Sequence, residues 1–262
     1  MIHTLSPVAL SIGSFEVRWY GLMYLAGFLL GWCIGRYRAS RVCPDWTTGE
    51  VDDLLTFSML AVVIGGRIGY VLFYDPGVYL ANPLEIFFIW NGGMSFHGGL
   101  LGVLCAFWYF SKTRKKTFLE VSDFVAPLVP QAIFFGRLGN FINGELWGKA
   151  TDLPWGIVFP QAGPWPRHPS QLYEAFFEGL VLFVILMVYA RKKRRPGAVS
   201  ALFAMGYAVF RSAIECIRVP DEQLGYLAFG WLTMGQVLCI PLFLAGLVLF
   251  LKKEPSEKQS RD

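Results

Sequence analysis

Apolar positions in this chain fall into seven long runs, near 18–36, 52–74, 96–111, 121–142, 170–190, 198–217 and 231–251, parted by shorter polar stretches. A helix needs about 20 such residues to cross the hydrocarbon layer of a bilayer. The pattern therefore predicts an all-α polytopic membrane protein, with seven transmembrane helices forming one domain over residues 1–251. The third run is short before its lysines, so its helix is expected to begin further back, toward Ile89. The longest piece between runs, 143–169, is rich in tryptophan and proline and predicts a small cap at the membrane interface. Residues 252–262 are polar and charged and predict a disordered tail. Neither an internal repeat nor a low-complexity block stands out. The N-terminus lacks the basic region and small-residue cleavage site of a signal peptide, so the first helix is expected to direct insertion.

Composition agrees with that reading and charge orients it. Of 262 residues 55% are hydrophobic and only 16% charged, against roughly 25% charged in ordinary soluble domains, and the mean hydropathy is +0.47. Sixteen of the 23 basic residues fall in alternate connections and the tail: Arg36, Arg38 and Arg41, then Lys112, Arg114, Lys115 and Lys116, then "RKKRR" at 191–195, then Lys252, Lys253, Lys258 and Arg261. The positive-inside bias puts these on the cytoplasmic side, the N-terminus and the 143–169 cap outside. The net charge of +4 is thus a matter of topology, and with no basic stripe interleaved with aromatics a nucleic-acid site is not expected. Five scattered cysteines without C-x-x-C spacing indicate neither a disulfide framework nor a metal knuckle.

Polar residues inside the runs carry the chemistry. "GRLGNFINGELWGK" at 136–149 places Arg137, Asn140, Asn143 and Glu145 within nine positions at the outer end of the fourth helix. Arg137, Asn140 and Gly144 share one face if that helix persists. Tyr207, Arg211, Glu215 and Arg218 follow i, i+4, i+8, i+11 spacing on the sixth helix. Arg67 stands in the outer half of the second helix, His97 at the start of the third in "GGMSFHGG", Tyr20 in "RWYGLMY", and the fifth helix opens with "HPSQLYEAFFEG". A single arginine near a helix end is ordinarily explained by snorkelling to the headgroups. Held nearer the core, each costs roughly 2.5–3.5 kcal/mol, so three facing one layer would be an expensive accident. Glu215 is placed to neutralise Arg211 and Arg218 one turn either way, Glu174 and Glu178 are expected to pair with helix neighbours, and Cys216 to pack.

Guanidinium forks bind phosphate in bidentate fashion and stay charged at any working pH, and the phosphate available at that depth is a phospholipid headgroup. A histidine beside it can act as general base near neutral pH. Together these suggest nucleophilic displacement on a phospholipid with a phosphate as leaving group.

The motifs "SFHGGLLG" (95–102), "GRLGNFINGELWGK" (136–149), "HPSQLYEA" (168–175) and "FRSAIECIRVPD" (210–221), in this order across seven spans, resemble the bacterial prolipoprotein diacylglyceryl transferase family. The resemblance covers nearly the whole chain. It implies a transferase of the bacterial cytoplasmic (inner) membrane that moves the sn-1,2-diacylglyceryl group of phosphatidylglycerol to the lipobox cysteine of a prolipoprotein. A thioether forms and glycerol phosphate leaves, the first step of lipoprotein maturation. By motif, His97, Arg137 and Arg211 resemble the family's catalytic residues. Tyr20, Arg67, Asn140, Glu145, Gly148, Tyr207, Glu215 and Arg218 join the two arginines as expected phosphatidylglycerol-binding residues. The expected partners are phosphatidylglycerol, other membrane lipids and the prolipoprotein signal peptide; no metal or other cofactor is expected. One position departs from the pattern, Cys216 following Glu215 where an aromatic would be expected, a change of packing beside the site. A lipid or ion transporter would spread polar groups over both leaflets. An intramembrane serine protease would need G-x-S-G and a partner histidine, and a retinal protein a lysine within 231–251, which is absent.

Overall fold

The computed structural model describes residues 1–13, 15–220 and 225–252; the expected disordered tail lies outside them except for Lys252. After a hairpin of β1 (Val8–Ile12) and β2 (Phe15–Arg18) the protein is mainly helical. In order come α1 (Trp19–Arg41), α2 (Thr48–Phe73), the short α3 (Pro76–Ala81), α4 (Phe96–Thr113), α5 (Phe118–Asn143), α6 (Ser170–Tyr189), α7 (Ala198–Glu215) and α8 (Met234–Leu251). A long helix therefore stands at each of the seven predicted positions. Five of them, α2, α5, α6, α7 and α8, are long and apolar enough to cross a membrane. Only 11% of the most apolar stretch of α8 is buried within the protein, and Leu60, Ile64, Val184, Val188, Leu244 and Val248 point outward. Apolar surface on this scale marks a face that meets lipid or another protein, not water.

Local sequence sets the helix ends. Thr47 with Glu50 and Thr233 with Gln236 form capping boxes at the starts of α2 and α8, each satisfying donors the first turn leaves open. Thr117 and Glu120 do the same for α5. Pro127 and Pro130 withhold backbone N–H groups, and α5 narrows there to a 3-10 turn over Ala126–Leu128. The helix of the third run does not reach back toward Ile89. Ile89–Asn91 is a separate 3-10 turn, and α4 begins at Phe96 because the Ser95 side chain caps it by accepting from Gly98 N–H at 3.2 Å.

The chain divides into two compact units. The first joins Met1–Ile34 to the chain from Asp123 onward. Its buried core includes Ala126, Leu182, Leu186 and Val199, and Asp123 fixes the start of α7 by accepting from the N–H groups of Gly197 (2.7 Å) and Ser200 (2.8 Å). The second, Gly35–Ser122, is built on the pair α2 and α4. Gly65 and Gly69 face Gly98 and Gly102 so closely that an added Cβ at Gly69 would lie 2.8 Å from Gly98 Cα. This is the small-residue packing that lets membrane helices approach without a hydrophobic driving force.

Candidate active site

The site in the first unit begins where α5 ends. Arg137 and Asn140 lie in the last two turns of α5; Gly144 follows with φ 68°, left-handed backbone that a glycine adopts without strain. The helix therefore does not persist to Gly144, and the shared face expected for Arg137, Asn140 and Gly144 reduces to the first two. The turn folds Glu145 back on the helix: Glu145 N–H donates to Asn140 O at 3.1 Å, and the amides of Asn140 (2.8 Å) and Asn143 (3.2 Å) donate to Glu145 Oε1. Tyr20 of α1 packs on this turn through Gly139, where a Cβ would come within 2.9 Å of its ring. Its hydroxyl meets that of Tyr24 at 3.1 Å and lies within electrostatic reach of Glu145 and Asn140.

Residues 144–169 form a small compact segment with a two-residue antiparallel pair, β3 (Ile157–Val158) and β4 (Pro166–Arg167). Gly148 is tightly packed there. Its N–H donates to His168 O (2.9 Å), Lys149 N–H donates to Ile217 O (2.8 Å), and a Cβ on Gly148 would stand 2.7 Å from His168 Cβ and 2.9 Å from Ile217 O. Burial pushes the His168 imidazole below its ordinary pKa, which favours the neutral ring there. The motif around His168 then ties this segment to α6: Ser170 Oγ donates to Leu146 O at 2.8 Å and Gln171 Nε2 to Glu145 O.

One turn later the same motif supplies Glu174, the hub of the site. Glu174 is fully buried. Arg137 Nε lies 3.2 Å from its Oε2, Arg211 Nη1 donates to its Oε1, and Arg218 Nε stands 3.9 Å from Oε1. Glu215 pairs with Arg211 at 2.7 Å and with Arg218 at 3.7 Å, so the expected neutralisation one turn either way is what the structure has. Glu178, also fully buried, lies 3.9 Å from Arg137 Nη2. Tyr207, one turn before Arg211 on α7, packs against Phe203 and sits within electrostatic reach of Glu178, Arg211 and Arg137.

Three arginines from α5, α7 and the turn after it thus meet three glutamates from α6 and α7. Two forks converge on one carboxylate while the side chains of Arg137 and Arg211 keep 19% and 12% exposure. An anion that reached this edge would meet two guanidinium groups already held in place. Glu174 and Glu178 were expected only to pair with helix neighbours; their partners are on α5 and α7. The signal for a larger role was present. Two carboxylates a turn apart in an apolar run cost as much as the arginines.

Two predicted site residues belong to the second unit. Arg67 is 5% exposed, and its five N–H groups are met by five backbone carbonyls: Nε by Ile86, Nη1 by Gly92 and Gly93, and Nη2 by Glu85 and Phe88. Its donors hold the segment that leads into α4, and its guanidinium lies over Tyr79 at 5.0 Å. His97 is exposed on the first turn of α4, beside an apolar groove walled by Ile64, Ile68, Gly98 and Leu101.

The family model for prolipoprotein diacylglyceryl transferase matches residues 7–252. Relatives named phosphatidylglycerol–prolipoprotein diacylglyceryl transferase include that of Nitratidesulfovibrio vulgaris, 62% identical over 94% of this chain and 93% of its own. That of Solidesulfovibrio magneticus is 58% identical over 97% of both chains, and that of Pseudomonas aeruginosa 55% identical over 94% and 93%. With the arginine–glutamate cluster standing on the very motifs that suggested the resemblance, the chain belongs to the prolipoprotein diacylglyceryl transferase family.

Proposed function

We propose that this protein transfers the sn-1,2-diacylglyceryl group of phosphatidylglycerol to the lipobox cysteine of prolipoproteins in the bacterial cytoplasmic membrane. Family membership over nearly the whole chain supports the reaction, and one observation supports the site: Arg137 and Arg211 converge on Glu174 while keeping 19% and 12% side-chain exposure. In this reading the two guanidinium groups clamp the phosphodiester. The cysteine sulfur attacks the glyceryl carbon, a C–S bond forms, the C–O bond to the phosphate breaks, and glycerol phosphate departs. The forks stabilise the charge that develops on it, the kind of preorganised electrostatics that is usually the largest catalytic contribution. A cysteine thiol has a pKa near 8.5, so little thiolate is present at neutral pH; His97 is assigned as the base that takes its proton.

Tyr20, Asn140 and Glu145 shape the wall of this site next to Arg137, while Tyr207 and Glu215 shape it next to Arg211 and Gly148 pairs with Arg218. In the second unit, Arg67 fixes the segment before His97. The seven helices span the membrane, with the N-terminus and the 143–169 cap outside and the C-terminus in the cytoplasm, so that the site opens to the outer leaflet. The distribution of basic residues supports that orientation.

The test is direct. Purified protein incubated with phosphatidylglycerol and a lipobox peptide should add a diacylglyceryl mass to the peptide's cysteine and release glycerol phosphate. An unmodified peptide, with the protein folded and lipid present, would overturn the reading.

A further inference from the structure

Glu178 differs from the other two carboxylates of the cluster. Among the described residues Glu174 touches three arginines and Glu215 two, but Glu178 has only Arg137, at 3.9 Å. It is fully buried, and among the described residues neither of its carboxylate oxygens has a hydrogen-bond partner. The groups that face it are Glu174 from its own helix, Arg137 from α5, Tyr207, Arg211 and Glu215 from α7, and Cys239 from α8. Three arginines stand against three glutamates, so the cluster carries as many acidic groups as basic ones.

A phosphodiester entering this cluster adds a negative charge to a desolvated set that has no positive charge to spare. An uncompensated charge in such surroundings is strongly unfavourable. The excess can be relieved by neutralising one carboxylate, and the one with the fewest compensating contacts is Glu178. Protonated, it releases Arg137 from a competing charge and gains an O–H donor.

Resting on the reading that this cluster binds the phosphodiester, we propose that Glu178 takes up a proton as the anionic headgroup binds, so that lipid binding is proton-linked. Carboxylate, proton and lipid anion combine to a neutral carboxyl beside the bound lipid, and the proton returns to solvent when the site empties. The linkage has a definite sign: affinity for phosphatidylglycerol is highest in acid and falls as pH rises, approaching about tenfold per pH unit for one linked proton.

The experiment uses the full chain in detergent with phosphatidylglycerol, measuring affinity from pH 5.5 to 9, proton uptake in weak buffer, and the infrared band of a protonated carboxyl. Wild type should show the falling affinity, about one proton taken up per lipid, and a carboxyl band that appears on binding. Glu178→Gln, which mimics the neutral form, should bind at high pH about as tightly as wild type does in acid, with no slope, no uptake and no new band. Glu174→Gln, which removes the hub, should instead weaken binding at every pH. Wild-type binding without proton uptake would overturn the proposal whether or not the variants fold, and so would a Glu178→Gln slope equal to that of wild type. If wild type forms the thioether but shows no linkage, the inference alone fails. If it neither binds the lipid nor forms product, the proposed function fails and the inference with it.

Discussion

Arg137 and Arg211 reach one carboxylate from different helices, so their planes are fixed before any ligand arrives. A lysine at either position keeps the charge and loses the planar fork. Arg137→Lys and Arg211→Lys should therefore lower turnover by about 10²–10³-fold, the usual cost of removing a donor that stabilises developing charge, and nearly as much as the alanine variants. Near-normal turnover in the lysine variant would withdraw the clamp role for that position. His97 calls for a different measurement. If it removes the thiol proton, His97→Asn should cost about 10²–10⁴-fold near neutral pH and recover part of the loss as pH climbs toward the thiol pKa of about 8.5. A pH–rate profile on folded protein with matched lipid affinity decides this. A deficit that stays flat from about pH 6.5 to 9 would leave the arginine field as the activator of the thiol and His97 as a lipid-positioning residue.

At the scale of elements, α6 does two jobs in succession. Its first turn holds the cap through Ser170 and Gln171, and its second supplies Glu174. From Ala175 to Val181 it widens into a π-helical stretch, a feature rare in ordinary helices and frequent at functional sites. Gly179 within it lies against α5 so tightly that a Cβ would come within 2.6 Å of Phe134 Cβ. That close approach brings α6 near enough for Glu174 and Glu178 to reach Arg137, one turn on from Phe134. Gly179→Ala should push α6 off α5, costing about 1–3 kcal/mol of stability as overpacking does and lowering activity with no change in the reacting groups. Thermal denaturation and the transfer assay together check it; an alanine variant as stable and active as wild type would show that the contact is slack. In the second unit, the glycine pairing of α2 and α4 and the five carbonyl bonds of Arg67 set where the segment before His97 runs.

For the molecule as a whole, orientation is the property that decides which leaflet supplies the lipid. In a cysteine-free background, single cysteines placed in 75–95 and 150–165 should react with an impermeant thiol reagent in intact cells, and one placed in 112–116 should not. Labelling at 112–116 would reverse the orientation and move the site to the inner leaflet. The sequence alone was enough for the helices: hydrophobic run length is a one-dimensional property, and α1, α2, α5, α6, α7 and α8 begin and end within a few residues of their runs. It also sufficed for the family, and it singled out Arg137, Arg211 and Glu215, which the structure links through Glu174, because membrane burial makes every polar residue conspicuous. What spacing along the chain does not carry is who meets whom across helices. Only the tertiary structure made Glu174 the common partner of three arginines and took up all the donors of Arg67 with backbone carbonyls. Those outcomes depend on close approach between segments far apart in sequence and on backbone groups whose partners no side-chain pattern reveals.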